Sequence, residues 1–163
     1  MDMQIRNATT DDLKEINDIY NHYVLNSTCT YQTEIETIED RINWFEEHGE
    51  DYPVIVALID EEIAGWASIS KYHKRAAYKP TVENSVYIKD CFRGKGIGSA
   101  LLSKTIELSR QIGYHSIIAE ISGDQTASIN LHIKYGFQKT AHLKDVGYKF
   151  GRWLDVVFYQ LIL

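Results

Sequence analysis

The stretch Arg93-Gly94-Lys95-Gly96-Ile97-Gly98 separates two segments of different periodicity, and its reading decides the fold. Before it, Thr81 to Lys89 alternates as a strand does. Val82, Asn84, Val86 and Ile88 share one side, and Glu83, Ser85 and Tyr87 share the other. After it, Ile97, Leu101, Leu108 and Ile112 follow at helical spacing and Gly113 offers a stop, which predicts a helix over Ile97 to Ile112. Glycines at 94, 96 and 98 let the backbone turn tightly and come close to a ligand. Amide N–H groups at the positive end of the following helix then converge on one concavity, a place for phosphate oxygens. A dinucleotide fingerprint would need glycine at Ser99. A Walker A loop would need Gly-Lys-Ser/Thr after a four-residue gap, and neither is present. Taken alone, the loop still reads more readily as a plain strand-to-helix turn.

Working outward, Met3 to Arg6 reads as an opening strand. Thr9 and Asp12 stand at capping-box spacing ahead of a helix carrying Leu13, Ile16, Tyr20, Tyr23 and Val24. A second helix is expected from Thr37 and Asp40, with Ile38, Ile42 and Phe45 as its apolar stripe and Gly49 as its stop. Pro53 to Ile59 and Ile63 to Ser70 form a hairpin about Asp60-Glu61-Glu62. Beyond the central helix come a buried strand, Ser116 to Ile121, and a helix, Ala127 to Tyr135, stopped by Gly136. Two closing strands follow, from Phe137 onward and from Trp153 to Leu163. This order predicts an α+β (mixed α/β) fold in which one sheet carries helices on both faces, as a single domain over residues 1–163.

Bulk composition narrows the function. With 44% hydrophobic and 25% charged residues the chain suits one ordinary globular core. A net charge of −6 argues against nucleic acid as a partner. No stretch is long and apolar enough to span a membrane, and the N-terminus lacks the apolar run of a signal peptide. Cys29 and Cys91 show neither metal-ligand spacing nor a disulfide framework, so no metal is expected and a cytoplasmic location is.

The motifs resemble those of the GNAT acetyltransferase superfamily. Arg93-x-x-Gly96-x-Gly98 is similar to its Gln/Arg-x-x-Gly-x-Gly/Ala loop, and Asn130 with Leu131-His132-Ile133-Lys134-Tyr135-Gly136-Phe137 is similar to its later Asn...Leu-Tyr-x-x-x-Gly-Phe signature. The resemblance implies that Arg93, Gly94, Lys95, Gly96, Ile97, Gly98 and Ser99 bind the pyrophosphate of acetyl-CoA. It implies that Val86, Tyr87 and Ile88 pair with the pantetheine arm, and that Asn130 touches the cofactor. His132 stands where the family usually has tyrosine, as in its phosphinothricin acetyltransferase branch. That branch also resembles Asn21-His22-Tyr23, the segment Tyr78 to Tyr87, and Gly147-Tyr148-Lys149-x-Gly151-x-Trp153-x-Asp155-Val156. Gln125-Thr126-Ala127 departs from the Asn-Asp-Pro that the branch often carries.

Acetyl transfer to an amine needs a base for the ammonium, stabilisation of the carbonyl oxygen and a way out for the thiolate. Glu83 is the candidate base that the resemblance favours; from spacing alone it reads more readily as an exposed strand residue or a partner of Arg75. His132 is a candidate acid for the coenzyme A sulfur or a substrate ligand, against a helical histidine that faces solvent or is simply satisfied in the core. The resemblance implies an oxyanion donor in a backbone N–H near Tyr87 or Ile88. Tyr31, His73, Arg75 and Tyr78 are candidate substrate residues, with Arg75 suited to clamp a carboxylate or phosphinate. The expected substrate is a small amino acid or analogue of the phosphinothricin, methionine sulfoximine or methionine sulfone type. Another amine, such as a protein N-terminus or polyamine, or a non-catalytic coenzyme A module, are the alternatives. A homodimer is expected, with Trp153 to Leu163 apolar enough for an interface, although a central strand has the same pattern.

Overall fold

A computed structural model describes residues 2–163. Its seven strands are β1 (Met3–Asn7), β2 (Val54–Ile59), β3 (Glu62–Lys71), β4 (Thr81–Ile88), β5 (Ser116–Ser122), β6 (Gln138–Lys149) and β7 (Arg152–Ile162). They form one sheet in the order β1-β2-β3-β4-β5-β7-β6. The four helices are α1 (Leu13–Asn26), α2 (Ile38–Glu46), α3 (Ile97–Ile112) and α4 (Thr126–Lys134). All strand pairs are antiparallel except β4 with β5, so the sheet is mixed as expected.

Alternation along the strands sorts side chains between two layers. On β2, Val54 and Val56 pack with Leu13, Ile16 and Ile19 of α1, while Ile55, Ala57 and Ile59 pack with Ile97 and Leu101 of α3. On β4, Val82 joins Leu102 and Ile106 of α3, and Tyr87 joins the α1 cluster. The split between Val82/Asn84/Val86 and Glu83/Ser85/Tyr87 read from the sequence is therefore the split between the two faces of the sheet. No helix among the described residues is long and apolar enough to cross a membrane.

Several local expectations change. Helix α2 starts with the Thr37–Asp40 capping box but ends at Glu46, short of Gly49. Its buried residue is Arg41, while Ile38 and Ile42 are exposed. The Arg41 guanidinium lies 4.7 Å from the Tyr20 ring and 4.6 Å from the Trp44 ring, and it pairs with Glu36 at 2.6 Å. A cation held by aromatic faces and a carboxylate takes the place that an apolar stripe was expected to fill. On α3 the buried line runs through Leu102, Thr105 and Ser109, and Ile112 is exposed. Strand β7 lies inside the sheet between β5 and β6, so most of Trp153 to Leu163 is a central strand.

Candidate active site

The site originates where β4 and β5 part. The two parallel strands pair only over Thr81–Ser116, Val82–Ile117 and Glu83–Ile118. Beyond Glu83, the edge of β4 facing β5 has no strand partner, although β4 continues to Ile88. The gap is a cleft of about 510 Å³. It is walled by Asn84 to Ile88 on one side and Ala119 to Ser122 on the other. Tyr23 and Cys29 close it from the α1 side, and Ala127, Ser128, Leu131 and His132 of α4 close it from the opposite face. The cleft thus runs through the sheet.

The glycine loop forms one end. Gly94, Gly96, Ile97, Gly98 and Ser99 all line the cleft. Gly96 sits at φ 82, a left-handed conformation that a side chain would strain, and caps α3 without a side-chain bond. The first amide bond of α3 runs from Ala100 N to Gly96 O at 3.1 Å. The amides of Ile97, Gly98 and Ser99 are therefore free to meet an anion. Gly98 packs closely against α4: a Cβ there would lie 3.3 Å from Leu131 Cδ2, so the leucine would have to give way by a few tenths of an ångström.

Arg93 reaches the cleft wall, but its guanidinium is turned to Tyr23. Nε and Nη2 lie 3.2 and 3.1 Å from Tyr23 Oη, and Asp90 is 3.3 Å away. Tyr23 Oη in turn donates to the Ile88 carbonyl. Arg93 therefore braces the last residue of β4. Lys95 does not line the cleft; its ammonium lies 4.8 Å from the Phe92 ring. Asn130 is exposed and also absent from the wall. Helical geometry turns residues 127, 128, 131 and 132 inward and leaves 130 facing solvent.

Glu83 occupies the last paired rung, half-buried, on the α1/α2 face. Burial first, and then the charge of Glu120, pushes its carboxyl up to about 7. Glu120 is two residues beyond Ile118 on the same face of β5 and lines the cleft. Neither Glu83 nor Arg75 takes part in an ion pair among the described residues.

His132 is buried. Its Nδ1 lies 2.8 Å from the Ser128 carbonyl, which can only accept, so Nδ1 carries the hydrogen. Nε2 then accepts from Asn84 Nδ2 at 3.0 Å. Burial lowers the pKa of the ring and favours this neutral form. In this arrangement both ring nitrogens are engaged, and no proton of His132 points to a departing thiolate. Of the readings open to His132, the satisfied core histidine fits this geometry, with α4 tied to β4 across the split.

The remaining substrate candidates are not brought together. His73, Arg75 and Tyr78 are exposed on the loop before β4, where the His73 and Tyr78 rings lie 4.8 Å apart. The Tyr31 hydroxyl is committed to Ser122 Oγ at 2.8 Å and the Asp155 carbonyl at 2.5 Å, which makes it part of the scaffold behind the cleft. The sequence reading did not single out Glu120, Ser122 or Gln125 as cleft residues. Gln125 donates to Thr28 Oγ1 at 2.8 Å and accepts from Cys29 Sγ at 3.1 Å. Glu120 was detectable as a lone charge in the apolar run Ile117 to Ile121. The long-range bonds of Gln125 left no local signal.

An extended molecule with an anionic end fits this cleft. It offers free amides at one end, an unpaired strand edge along its length, and a buried Asn84 Oδ1 without a partner. Comparison with known proteins agrees. The family model described as Acetyltransferase (GNAT) domain matches residues 5–158. The L-methionine sulfoximine/L-methionine sulfone acetyltransferase of Salmonella typhimurium is 39% identical, over 99% of this chain and 95% of that protein. The L-amino acid N-acyltransferase MnaT of Escherichia coli is 40% identical, over 99% of this chain and 94% of that protein. The crystal structure of a phosphinothricin acetyltransferase from Sinorhizobium meliloti in complex with AcCoA superposes with a TM-score of 0.95 at 38% identity, covering 100% of this chain and 89% of that one.

Proposed function

Because the chain belongs to the GNAT acetyltransferase family and is an acetyl-CoA-dependent N-acetyltransferase, we propose that it acetylates the α-amino group of a small amino acid of the methionine sulfoximine, methionine sulfone or phosphinothricin type, with Glu83 as general base. The carrying observation is a carboxyl with a pKa of about 7, placed where β4 and β5 part beside the cleft. At neutral pH such a group is divided between its two forms, so it can take a proton and release it again. The names of the relatives support the substrate class.

Acetyl-CoA supplies an acyl group already activated as a thioester. The amides of Ile97, Gly98 and Ser99 would hold its pyrophosphate, and the unpaired edge of Val86, Tyr87 and Ile88 would hold the pantetheine arm. A backbone N–H near Tyr87 or Ile88 would steady the carbonyl oxygen as charge develops. Glu83 takes the proton of the ammonium, directly or through a water. Arg75, exposed on the loop that feeds β4, meets the acid group of the substrate. The reaction takes place in the cytoplasm, in a homodimer. The exposed aromatic residues Tyr148, Phe150 and Trp153 near the outer edge of the sheet support self-association.

The test is thiol release from acetyl-CoA with a panel of amines: phosphinothricin, methionine sulfoximine, methionine sulfone, ordinary amino acids, polyamines and short peptides. Turnover of the small acids, lost in Glu83→Gln, is expected. Turnover confined to peptides or polyamines would overturn the substrate assignment, and full activity in Glu83→Gln would overturn the base.

A further inference from the structure

The Glu83 reading leaves open where its proton goes, and the side of Glu83 facing β3 carries a connected pair of groups. Ser70 is the rung partner of Glu83 in the antiparallel β3–β4 ladder. Directly paired residues share a face and hold their Cβ atoms about 5 Å apart, within reach of a carboxyl. Ser70 Oγ lies 2.9 Å from His48 Nε2, and His48 Nδ1 lies 2.7 Å from the Trp44 carbonyl. His48 follows the end of α2 and packs its ring 4.4 Å from that of Trp44.

The direction of these bonds is fixed by chemistry. The Trp44 carbonyl accepts only, so in the neutral ring Nδ1 carries the hydrogen and Nε2 is the acceptor. Ser70 must then donate to His48, and its oxygen keeps only lone pairs for other neighbours. Such an oxygen can receive a hydrogen bond from protonated Glu83 but has none to give to the carboxylate. The pair is therefore polarised away from Glu83.

We propose that Ser70 and His48 form the outlet by which Glu83 discharges the proton it takes from the amine. The O–H bond of the glutamic acid breaks as a new O–H bond forms on Ser70, and the original Ser70 hydrogen moves to His48 Nε2. The products are the Glu83 carboxylate, an intact Ser70 hydroxyl and an imidazolium that loses one proton to solvent. Glu83 serves the reacting amine directly or through a water; Ser70 and His48 act through Glu83. Three charged groups bear on this path. Glu120 on β5 favours protonated Glu83, while Arg41 opposes and Glu47 favours a charge on His48. Lys71, next along β3, points to the other face of the sheet. Burial lowers the pKa of His48 and so favours the neutral ring, which leaves Nε2 without a hydrogen and makes the imidazolium a short-lived carrier that passes its proton on.

This outlet rests on Glu83 as the base, and the experiment separates the two. His48→Ala, Ser70→Ala, Ser70→Thr and Glu83→Gln are compared by steady-state kinetics, with and without added imidazole, after thermal melts. His48→Ala is expected to lower kcat on the order of tenfold with KM unchanged, and imidazole to restore most of it. Ser70→Ala should lose a similar factor without rescue, and Ser70→Thr should keep wild-type kcat. In the intact protein, nitrogen NMR of labelled histidine should find His48 with its hydrogen on Nδ1. Glu83→Gln inactive with His48→Ala unaffected, or impaired but deaf to imidazole, would overturn the outlet alone, as would a hydrogen found on Nε2. Active Glu83→Gln would overturn the base and the outlet together.

Discussion

Glu83→Gln should cost activity and at the same time raise stability in a pH-dependent way. The folded carboxyl titrates at about 7 against an ordinary glutamate value of 4.5. A carboxyl raised in the folded state binds its proton more tightly there than in the unfolded chain. Its neutral form is at no disadvantage below 4.5, and stability is lost as pH rises from 4.5 through about 7. At ~1.36 kcal/mol per pH unit, the interval from 4.5 to about 7 gives a ceiling of about 3.4 kcal/mol. Glu83 is only half-buried, and solvent screening brings this to about 1–2 kcal/mol. Glutamine has the same shape and no charge, so the variant escapes the loss. Its melting temperature relative to wild type should rise by about 2–8 °C between pH 4.5 and pH 8, and calorimetry at both pH values measures it. At pH 8 the kcat/KM of the variant should be about 10²–10⁴-fold below wild type, and the gap should close at lower pH as the wild-type profile loses activity below a pH near 7. A melting difference that is equal at both pH values would refute the argument, because burial of the Glu83 charge would then cost nothing.

Arg41→Ala should destabilise by about 3 kcal/mol in urea denaturation, since it leaves Glu36 without its partner and empties the space between Tyr20 and Trp44. Gly65→Ala puts a Cβ 2.8 Å from the Tyr87 carbonyl oxygen and 2.9 Å from Ile88 Cδ1. It should cost about 1–3 kcal/mol in the same measurement and weaken coenzyme A binding in calorimetric titration, because β4 must shift where it walls the cleft. Tyr23→Phe removes the bond to the Ile88 carbonyl and both bonds from Arg93, and should raise the Kd for coenzyme A about threefold to tenfold.

The fold was legible in the sequence wherever a local rule acted alone. The period of β4 sorted its side chains to two faces, and the α3 helix runs from Ile97 to the stop at Gly113 as read. Thr37 and Asp40 marked the start of α2 because a capping box needs only four consecutive residues. The glycine loop was legible for the same reason, since its backbone geometry is written in glycine positions. Arg41 was not: its burial depends on aromatic rings from three separate elements, α1, α2 and β3. That Asn130 lies outside the cleft wall was not legible either, because the signature gives a position along the chain, while the angle of α4 around its axis decides which residues face the cleft.

The sequence by itself therefore determined the elements, the glycine loop ahead of α3 and the presence of a carboxylate on the strand beside it, because each depends on neighbours within a few residues. Only the tertiary structure decided that β4 and β5 part after Glu83, that Glu120 stands on the same face, and that His132 is bonded between Ser128 and Asn84. The physical reason is that a proton affinity or a hydrogen-bond direction is set by burial and by charges that the fold, not the chain, brings within reach.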